Sequence, residues 1–318
     1  MPDTKTAVSA PAPASATAAT VATSAGHATF LSPLPLFFVL LWSTGFIVAK
    51  FGLPYAPPLT FLVMRFLGVL VILLPLVLLL RAPWPRGQIR QIALAGVLVQ
   101  GGYLVGVWCA IKLGMPAGLS ALIVGMQPIL TAFAAPLIGE KVVPRQWLGL
   151  LFGLGGVALV VAAKIKLVGL SFEAIAFCVL ALVSITVGTL YQKRRCPQFD
   201  LRTGTVIQFA ASMVVVLPLA IIFEGLRPDF AAVQWTSRFV GALLWSVLGL
   251  SIGAIFLLFA LIRRSDATHV TSLMYLTPPT TAVMAWLMFG EAFNALGIAG
   301  MALAVTGVFF VVSKSKPK

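Results

Sequence analysis

The sequence predicts an all-α integral membrane protein with ten transmembrane helices arranged as two inverted five-helix repeats. Two observations predict this fold class: the apolar residues form long blocks, and the second half of the chain repeats motifs of the first. Of the 318 residues, 60% are hydrophobic and 9% are charged, with a mean hydropathy of +1.06. Soluble domains carry about 25% charged residues. The chain therefore lacks the polar residues that a surface in water requires.

Ten apolar blocks are long enough, or nearly so, to cross a bilayer, which takes about 20 residues at about 1.5 Å per residue. Arg65 is the one charge well inside a block. The strands of an outer-membrane barrel would instead be short and would alternate in polarity. The predicted spans are residues 34–50, 58–80, 91–111, 113–139, 146–163, 174–192, 203–223, 239–262, 267–290 and 292–313.

The net charge of +14 comes from basic residues in the loops between the predicted spans, so it does not indicate nucleic-acid binding. With ten spans, 15 Lys and Arg residues fall on the side that holds both termini, and 6 fall on the opposite side. Cytoplasmic loops are enriched in Lys and Arg. The distribution therefore predicts that both termini are cytoplasmic.

The two halves of the chain align after a shift of 151 residues near their ends and of 143 residues near their starts. The longer shift carries Glu140 onto Glu291, and the shorter shift carries Lys50 onto Lys193. An odd number of spans per half forces the second half to enter the membrane from the opposite side, as in many secondary transporters. The predicted divisions are a disordered cytoplasmic tail at 1–29, a first five-helix repeat at 30–163, a second, inverted five-helix repeat at 164–313, and a basic cytoplasmic tail at 314–318.

The fifth and tenth predicted spans each carry a face of small residues. Such faces let helices approach closely in lipid. We expect this contact inside the bundle, which leaves the protein a monomer by default. The small residues are Gly149, Gly153 and Gly156 in one span and Gly300, Ala304 and Gly307 in the other.

Several short motifs, in this order and spacing, resemble those of the drug/metabolite transporter superfamily, EamA type. They are the run at 42–46 (WSTGF), Arg65-Phe66, Pro128, and the Gly-Glu pairs after the fourth and ninth spans. The resemblance extends over about residues 34–313. It implies a permease of the bacterial inner membrane, commonly an exporter of amino acids or other small metabolites. The best understood relatives move aromatic amino acids outward through a central cavity.

Arg65 is the first candidate for a functional residue, because a charge inside the membrane is costly and is often functional. It lies about seven residues, or about 10 Å, from the non-cytoplasmic end of its span. Its guanidinium could bind a substrate carboxylate through two parallel hydrogen bonds. Alternatively, helix-end carbonyls, Glu173 or Glu291 could hold Arg65 in a structural role. Its counterpart in the second repeat is the neutral Gln208.

Aromatic and neutral polar residues within the spans are the other candidates, because ligand pockets combine aromatic walls with a few hydrogen-bonding groups. For each of them, packing between helices is the alternative role. The aromatic candidates are Trp42, Tyr103, Trp108, Trp245 and Tyr275, and the polar candidates are Ser43, Thr44, Gln100, Gln127 and Thr277.

Two helix breaks are predicted in the fourth and ninth spans, which are repeat counterparts. One contains Gln127-Pro128 and the other Thr277-Pro278. Proline removes a backbone donor and frees a carbonyl. In lipid such groups persist only where protein or a wet cavity surrounds them. We therefore expect the two breaks to face each other and to line the transport pathway.

The sequence therefore predicts a permease that exports amino acids, aromatic ones among them, by alternating access around a cavity between the repeats. No carboxylate falls near the middle of a span, which favours transport along the substrate's own gradient. The alternatives are a channel-like facilitator and a membrane-embedded enzyme of unknown chemistry. An enzyme is not expected, and neither are a metal or a cofactor. The expected partners are a small-molecule substrate and the lipid bilayer; the substrate, the direction of transport and the energy source stay open.

Overall fold

The structure is a computed structural model, and it describes residues 33–134, 144–196, 198–254, 257 and 276–312. Within these residues the regular structure is helical and contains no strand, which confirms the all-α prediction. The predicted tails at 1–29 and 314–318 lie outside the described residues. So do Tyr275 and the first part of the ninth predicted span.

The described helices follow the predicted apolar blocks in order. We number them α1 to α10, and α4 consists of two pieces. They are α1 (Pro33–Gly52), α2 (Pro58–Leu79), α3 (Ile89–Lys112), α4a (Ala117–Val124), α4b (Gln127–Ala134), α5 (Pro144–Val168), α6 (Phe172–Arg195), α7 (Leu201–Glu224), α8 (Ser237–Gly253), α9 (Thr277–Phe289) and α10 (Ala295–Val312).

Four of these helices, α2, α3, α6 and α7, are by themselves long and apolar enough to cross a membrane. Shorter apolar helices of 10–17 residues lie within α1, α4, α5, α8 and α10. Large hydrophobic side chains are exposed on several helices, for example Leu79 with 81% and Phe172 with 80% of its surface exposed. An apolar outer surface of this extent fits contact with lipid rather than with water.

α5 and α10 pack through the faces of small residues that the sequence predicted. A Cβ atom built on Gly156 would lie 2.5 Å from the carbonyl oxygen of Gly300, and one built on Gly307 would lie 2.5 Å from that of Gly149. The two backbones therefore touch directly, as small residues allow. This contact lies within one chain.

α2 and α7 form a second close pair, joined by hydrogen bonds near both ends. At one end, the Glu224 carboxylate accepts hydrogen bonds from the first turn of α2. At the other end, the Thr203 hydroxyl donates to the carbonyl oxygen of Pro83, 2.9 Å away. The pair contributes a buried aromatic contact, because the rings of Phe66 and Phe209 meet edge to face with centroids 5.5 Å apart.

Two of the helices change their winding midway. Val97–Gly102 in α3 and Trp245–Gly253 in α8 form π-helix. π-helical segments are rare and are frequent at functional sites. The sequence analysis did not predict either segment.

Candidate functional site

A cavity of about 90 Å³ lies where α1, α2 and α3 meet α7 and α8. A cavity needs about 10–15 Å³ to hold one water molecule, so this cavity has room for several waters or a small solute. Aromatic and aliphatic side chains make up most of its wall. The lining residues are Trp42, Gly45, Phe46, Arg65, Gln100, Tyr103, Leu104, Val107, Trp108, Phe209, Leu250 and Ser251.

Arg65 projects from α2 into this cavity and is 6% exposed. Its Nε donates a hydrogen bond to Oγ of Ser251, 3.1 Å away in α8. The hydroxyl of Ser251 in turn donates to the carbonyl oxygen of Ser246, 2.9 Å away. Arg65 is therefore fixed by a neutral hydroxyl from the other half of the chain.

Neither Glu173 nor Glu291 contacts Arg65, so neither holds it in a structural role. Glu291 forms an ion pair with Lys50, and Glu173 is exposed in the first turn of α6. Among the described residues, Arg65 forms no ion pair. The positive charge at the cavity wall thus has no negative partner in the described part of the chain.

The π-helical segments supply polar groups of the cavity from both halves. Gln100 lies in the π-segment of α3, and Tyr103 follows it directly. Leu250 and Ser251 lie in the π-segment of α8. The bond from Ser251 to the carbonyl five residues earlier is possible because the wider winding brings that carbonyl within reach.

The aromatic side chains of the cavity wall differ in how much of their surface is exposed. Trp108 is 1% exposed, and its ring stacks on Phe61 with centroids 4.2 Å apart. Trp42 is half-buried and lies 5.7 Å from the ring of Phe38. Trp108 is therefore mainly a packing residue in the cavity wall, whereas Trp42 and Tyr103 keep accessible surface.

The structure brings together five of the residues singled out from the sequence: Trp42, Arg65, Gln100, Tyr103 and Trp108. Other candidates lie outside the cavity wall. Thr44 accepts a hydrogen bond from Nε1 of the exposed Trp245, 2.9 Å away, and donates one to a carbonyl of its own helix. Ser43 is fully buried, and its hydroxyl has no hydrogen-bond partner among the described residues.

The two predicted helix breaks meet, but away from the cavity. α4 is interrupted at Gly125-Met126, so that Gln127 and Pro128 begin its second piece. A Cβ on Gly125 would lie 2.7 Å from Cγ of Pro278, which starts α9 together with Thr277. Gln127 is occupied by a hydrogen bond from its Nε2 to Oγ1 of Thr189, 3.1 Å long. The expectation that these breaks line the pathway stays a prediction.

Sequence reasoning missed Phe209, Leu250 and Ser251 as cavity residues. One available signal was the internal repeat, because the shift of 151 residues carries Gln100 onto Ser251. The shift of 143 residues carries Phe66, which does not line the cavity, onto Phe209, so the repeat gave no signal for Phe209. No comparable signal marks Leu250.

The family model described as EamA-like transporter family matches residues 28–162 and 172–313, which is most of the chain. This chain belongs to the EamA-like transporter family. The resemblance seen in the sequence is thereby confirmed. The chain is a multi-pass membrane protein and a transporter rather than an enzyme.

Relatives of similar length support the assignment. An uncharacterized transporter, YvbV, of Bacillus subtilis is 29% identical over 88% of this chain and 90% of its own. A probable amino-acid metabolite efflux pump of Salmonella typhimurium is 24% identical over 88% and 93%. The uncharacterized inner membrane transporter YedA of Escherichia coli is 26% identical over 89% and 92%. One solved crystal structure shares the fold, with a TM-score of 0.59 at 20% identity over 87% of this chain and 94% of its own.

An ion pair joins the two halves of this EamA-family chain at the end of α1. Lys50, in the last turn of α1, pairs with Glu291, which directly follows α9 and its terminal glycine. The ammonium group of Lys50 also lies 4.7 Å from the ring centroid of Phe289. The side chain of Glu291 is 9% exposed, so its charge depends on Lys50 for compensation.

We expect Glu291→Ala and Lys50→Ala each to lower the free energy of unfolding by about 1–2 kcal/mol, between the values typical of exposed and buried pairs. The exchange Lys50→Glu with Glu291→Lys should recover part of that loss. A double-mutant cycle on the melting temperature of the purified protein measures the coupling. Additive effects of the two alanine substitutions would show that the pair contributes nothing.

Proposed function

We propose that this transporter exports amino acids and related small metabolites across the bacterial inner membrane by alternating access around the cavity at Arg65. The observation that carries the proposal is the composition of that cavity: an aromatic wall with four polar side chains, drawn from both halves of the chain. Residues 33–112 supply three helices to it, and residues 201–253 supply two. A cavity between two halves can open to either side when the halves move relative to each other.

The proposal includes a ten-span bundle of two inverted repeats, at 30–163 and 164–313. Support comes from the family match, which falls on one range in each half, and from the π-segments in α3 and α8. The unequal distribution of Lys and Arg supports cytoplasmic termini. A monomer is the simplest state, because α5 and α10 use their small-residue faces on each other.

Amino-acid efflux from cells tests the proposed substrate class. Cells that overproduce the protein are loaded with dipeptides, and the amino acids released are measured over time. We expect faster release of a subset that includes aromatic amino acids. Gln100→Ala, which alters the cavity wall, should slow this release about tenfold at equal membrane levels.

The matched control is Gln234→Ala, which removes the same group from an exposed loop position and should leave efflux unchanged. Unaltered release of every amino acid, with the protein inserted in the membrane, would contradict amino-acid export. The relative from Salmonella typhimurium is named for amino-acid metabolites, which makes those compounds the next solutes to test.

A further inference from the structure

We propose that the cavity selects substrates by a carboxylate and does not require an ammonium group, so that the protein also transports monoanionic carboxylates with an aryl or apolar body. The inference rests on the proposed function and adds the charge of the substrate. Its basis is that the buried cation of Arg65 lies among aromatic side chains. No carboxylate lines the cavity among the described residues.

Arg65 carries a positive charge that no described acidic residue pairs with. Its side chain is more than nine-tenths buried, and the one hydrogen bond that the structure gives it uses Nε and a neutral hydroxyl. A buried charge without an opposite charge is costly unless a ligand supplies that charge. A guanidinium group matches the planar geometry of a carboxylate and can bind it through two hydrogen bonds. An anion in the cavity would therefore complete the site.

The ammonium group of an amino acid finds no opposite charge on the described cavity wall. Of the residues that line the cavity in the described structure, none is acidic, and the polar partners left are Gln100, Tyr103 and Ser251. A substrate ammonium near Arg65 meets a like charge without a carboxylate to compensate it. Binding energy therefore comes from the carboxylate and from the apolar body, which can lie against Trp42 and Phe46. The ammonium group contributes little and is dispensable.

The membrane potential can supply the driving force for export of an anion. All acidic residues of the sequence lie in the tail, in loops or at the ends of predicted spans, so no carboxylate is available for proton coupling at mid-membrane. A monoanion needs no such group, because a potential of 100 mV, negative inside, favours its exit about 50-fold at equilibrium. Export of this substrate class is thus electrogenic, whereas export of a zwitterion is not.

Four probes that share a phenyl group separate the contribution of the substrate carboxylate from that of the substrate ammonium group. The purified full-length protein is reconstituted into liposomes that contain phenylalanine, 3-phenylpropanoate, N-acetylphenylalanine or 2-phenylethylamine at pH 7.5. Release is measured against protein-free liposomes, which corrects for passive leakage. We expect both anions to leave at least as fast as phenylalanine and the amine to leave at the background rate. A potassium diffusion potential, negative inside, should speed release of 3-phenylpropanoate several-fold and leave phenylalanine unaffected.

Variants connect this selectivity to Arg65. Arg65→Gln should reduce release of the anions at least tenfold, and Arg65→Lys, which keeps the charge but loses the planar fork, should retain part of it. Arg227→Gln, which removes a positive charge from an exposed loop, serves as the matched control and should behave as the native protein. A single symmetric peak in gel filtration shows that each variant is folded. If Arg65→Gln fails this criterion, Arg65→Lys and the potential dependence of the native protein decide.

Each outcome bears on one of the two proposals. Release of phenylalanine without release of 3-phenylpropanoate would overturn the inference and leave amino-acid export intact. Equal release of 2-phenylethylamine would overturn it as well, because the cavity would then not select an anion. Background rates for all four probes would overturn the inference, and the amino-acid efflux assay in cells would then decide separately whether the proposed function also fails.

Discussion

Gly156→Ala is expected to destabilise the protein by about 3 kcal/mol, at the upper end of the usual cost of overpacking. The added methyl group would lie 2.5 Å from the carbonyl oxygen of Gly300 and closer still to the amide nitrogen of Ala304. Both neighbours are backbone atoms of α10, so no side-chain rotation can make room. α5 and α10 would have to separate along the whole interface, which also involves Gly153 and Gly307. Purified protein should show a lower melting temperature and a smaller monodisperse fraction in gel filtration.

The adjacent Gly155 provides the control for this experiment. A Cβ on Gly155 would lie 3.9 Å from Cδ2 of Leu303, which is an ordinary van der Waals contact. Gly155→Ala should therefore leave the melting temperature unchanged or raise it slightly, since alanine favours the helix by up to about 1 kcal/mol over glycine. Equal melting temperatures for the two variants would argue against the close contact of α5 and α10.

The apolar blocks predicted where the described helices lie because length and hydropathy are properties of single segments. The same holds for the small residues of α5 and α10, whose spacing marks a contact face in the sequence itself. The winding of α3 and α8 could not be predicted in this way. A π-segment such as 97–102 has no composition of its own, because it depends on how the surrounding helices fit together.

The candidate site was predictable in part for a similar reason. Arg65 stands out in the sequence because any charge within a span does, and aromatic residues with polar neighbours led to Trp42, Gln100 and Tyr103. The sequence does not show that Ser251 is the partner of Arg65, because the contact joins residues 186 positions apart. The helix breaks show what a local sequence signal leaves open. Pro128 pointed to the interruption of α4, which lies just before it at Gly125-Met126, yet a proline alone does not reveal whether a break faces the cavity or another helix.

The second large effect is expected from Glu224→Ala, which removes the cap of α2. Pro57 precedes this helix and Pro58 is its first residue; neither has an N–H group, so the first backbone donors are those of Leu59 and Thr60. The Glu224 carboxylate accepts from both nitrogen atoms, at 2.8 and 2.7 Å, and from Oγ1 of Thr60 at 2.8 Å. One side chain at the end of α7 thus satisfies the exposed donors of a neighbouring helix and places a negative charge at its N-terminus.

Removal of this carboxylate leaves two backbone donors without a partner, and each costs about 1–3 kcal/mol where water cannot replace the bond. We expect a loss of about 3 kcal/mol in the free energy of unfolding, or roughly 4–5 °C in melting temperature. Asp229→Ala is the matched control, because this acidic residue lies in the loop that follows α7 and accepts only from the exposed amide of Ala231. A melting temperature that falls equally for both variants would show that the loss of a negative charge, rather than the cap of α2, is responsible. If only Glu224→Ala is destabilised, the two halves of the chain are joined through the first turn of α2. Movement between α2 and α7 during transport must then preserve these hydrogen bonds or break them at this cost.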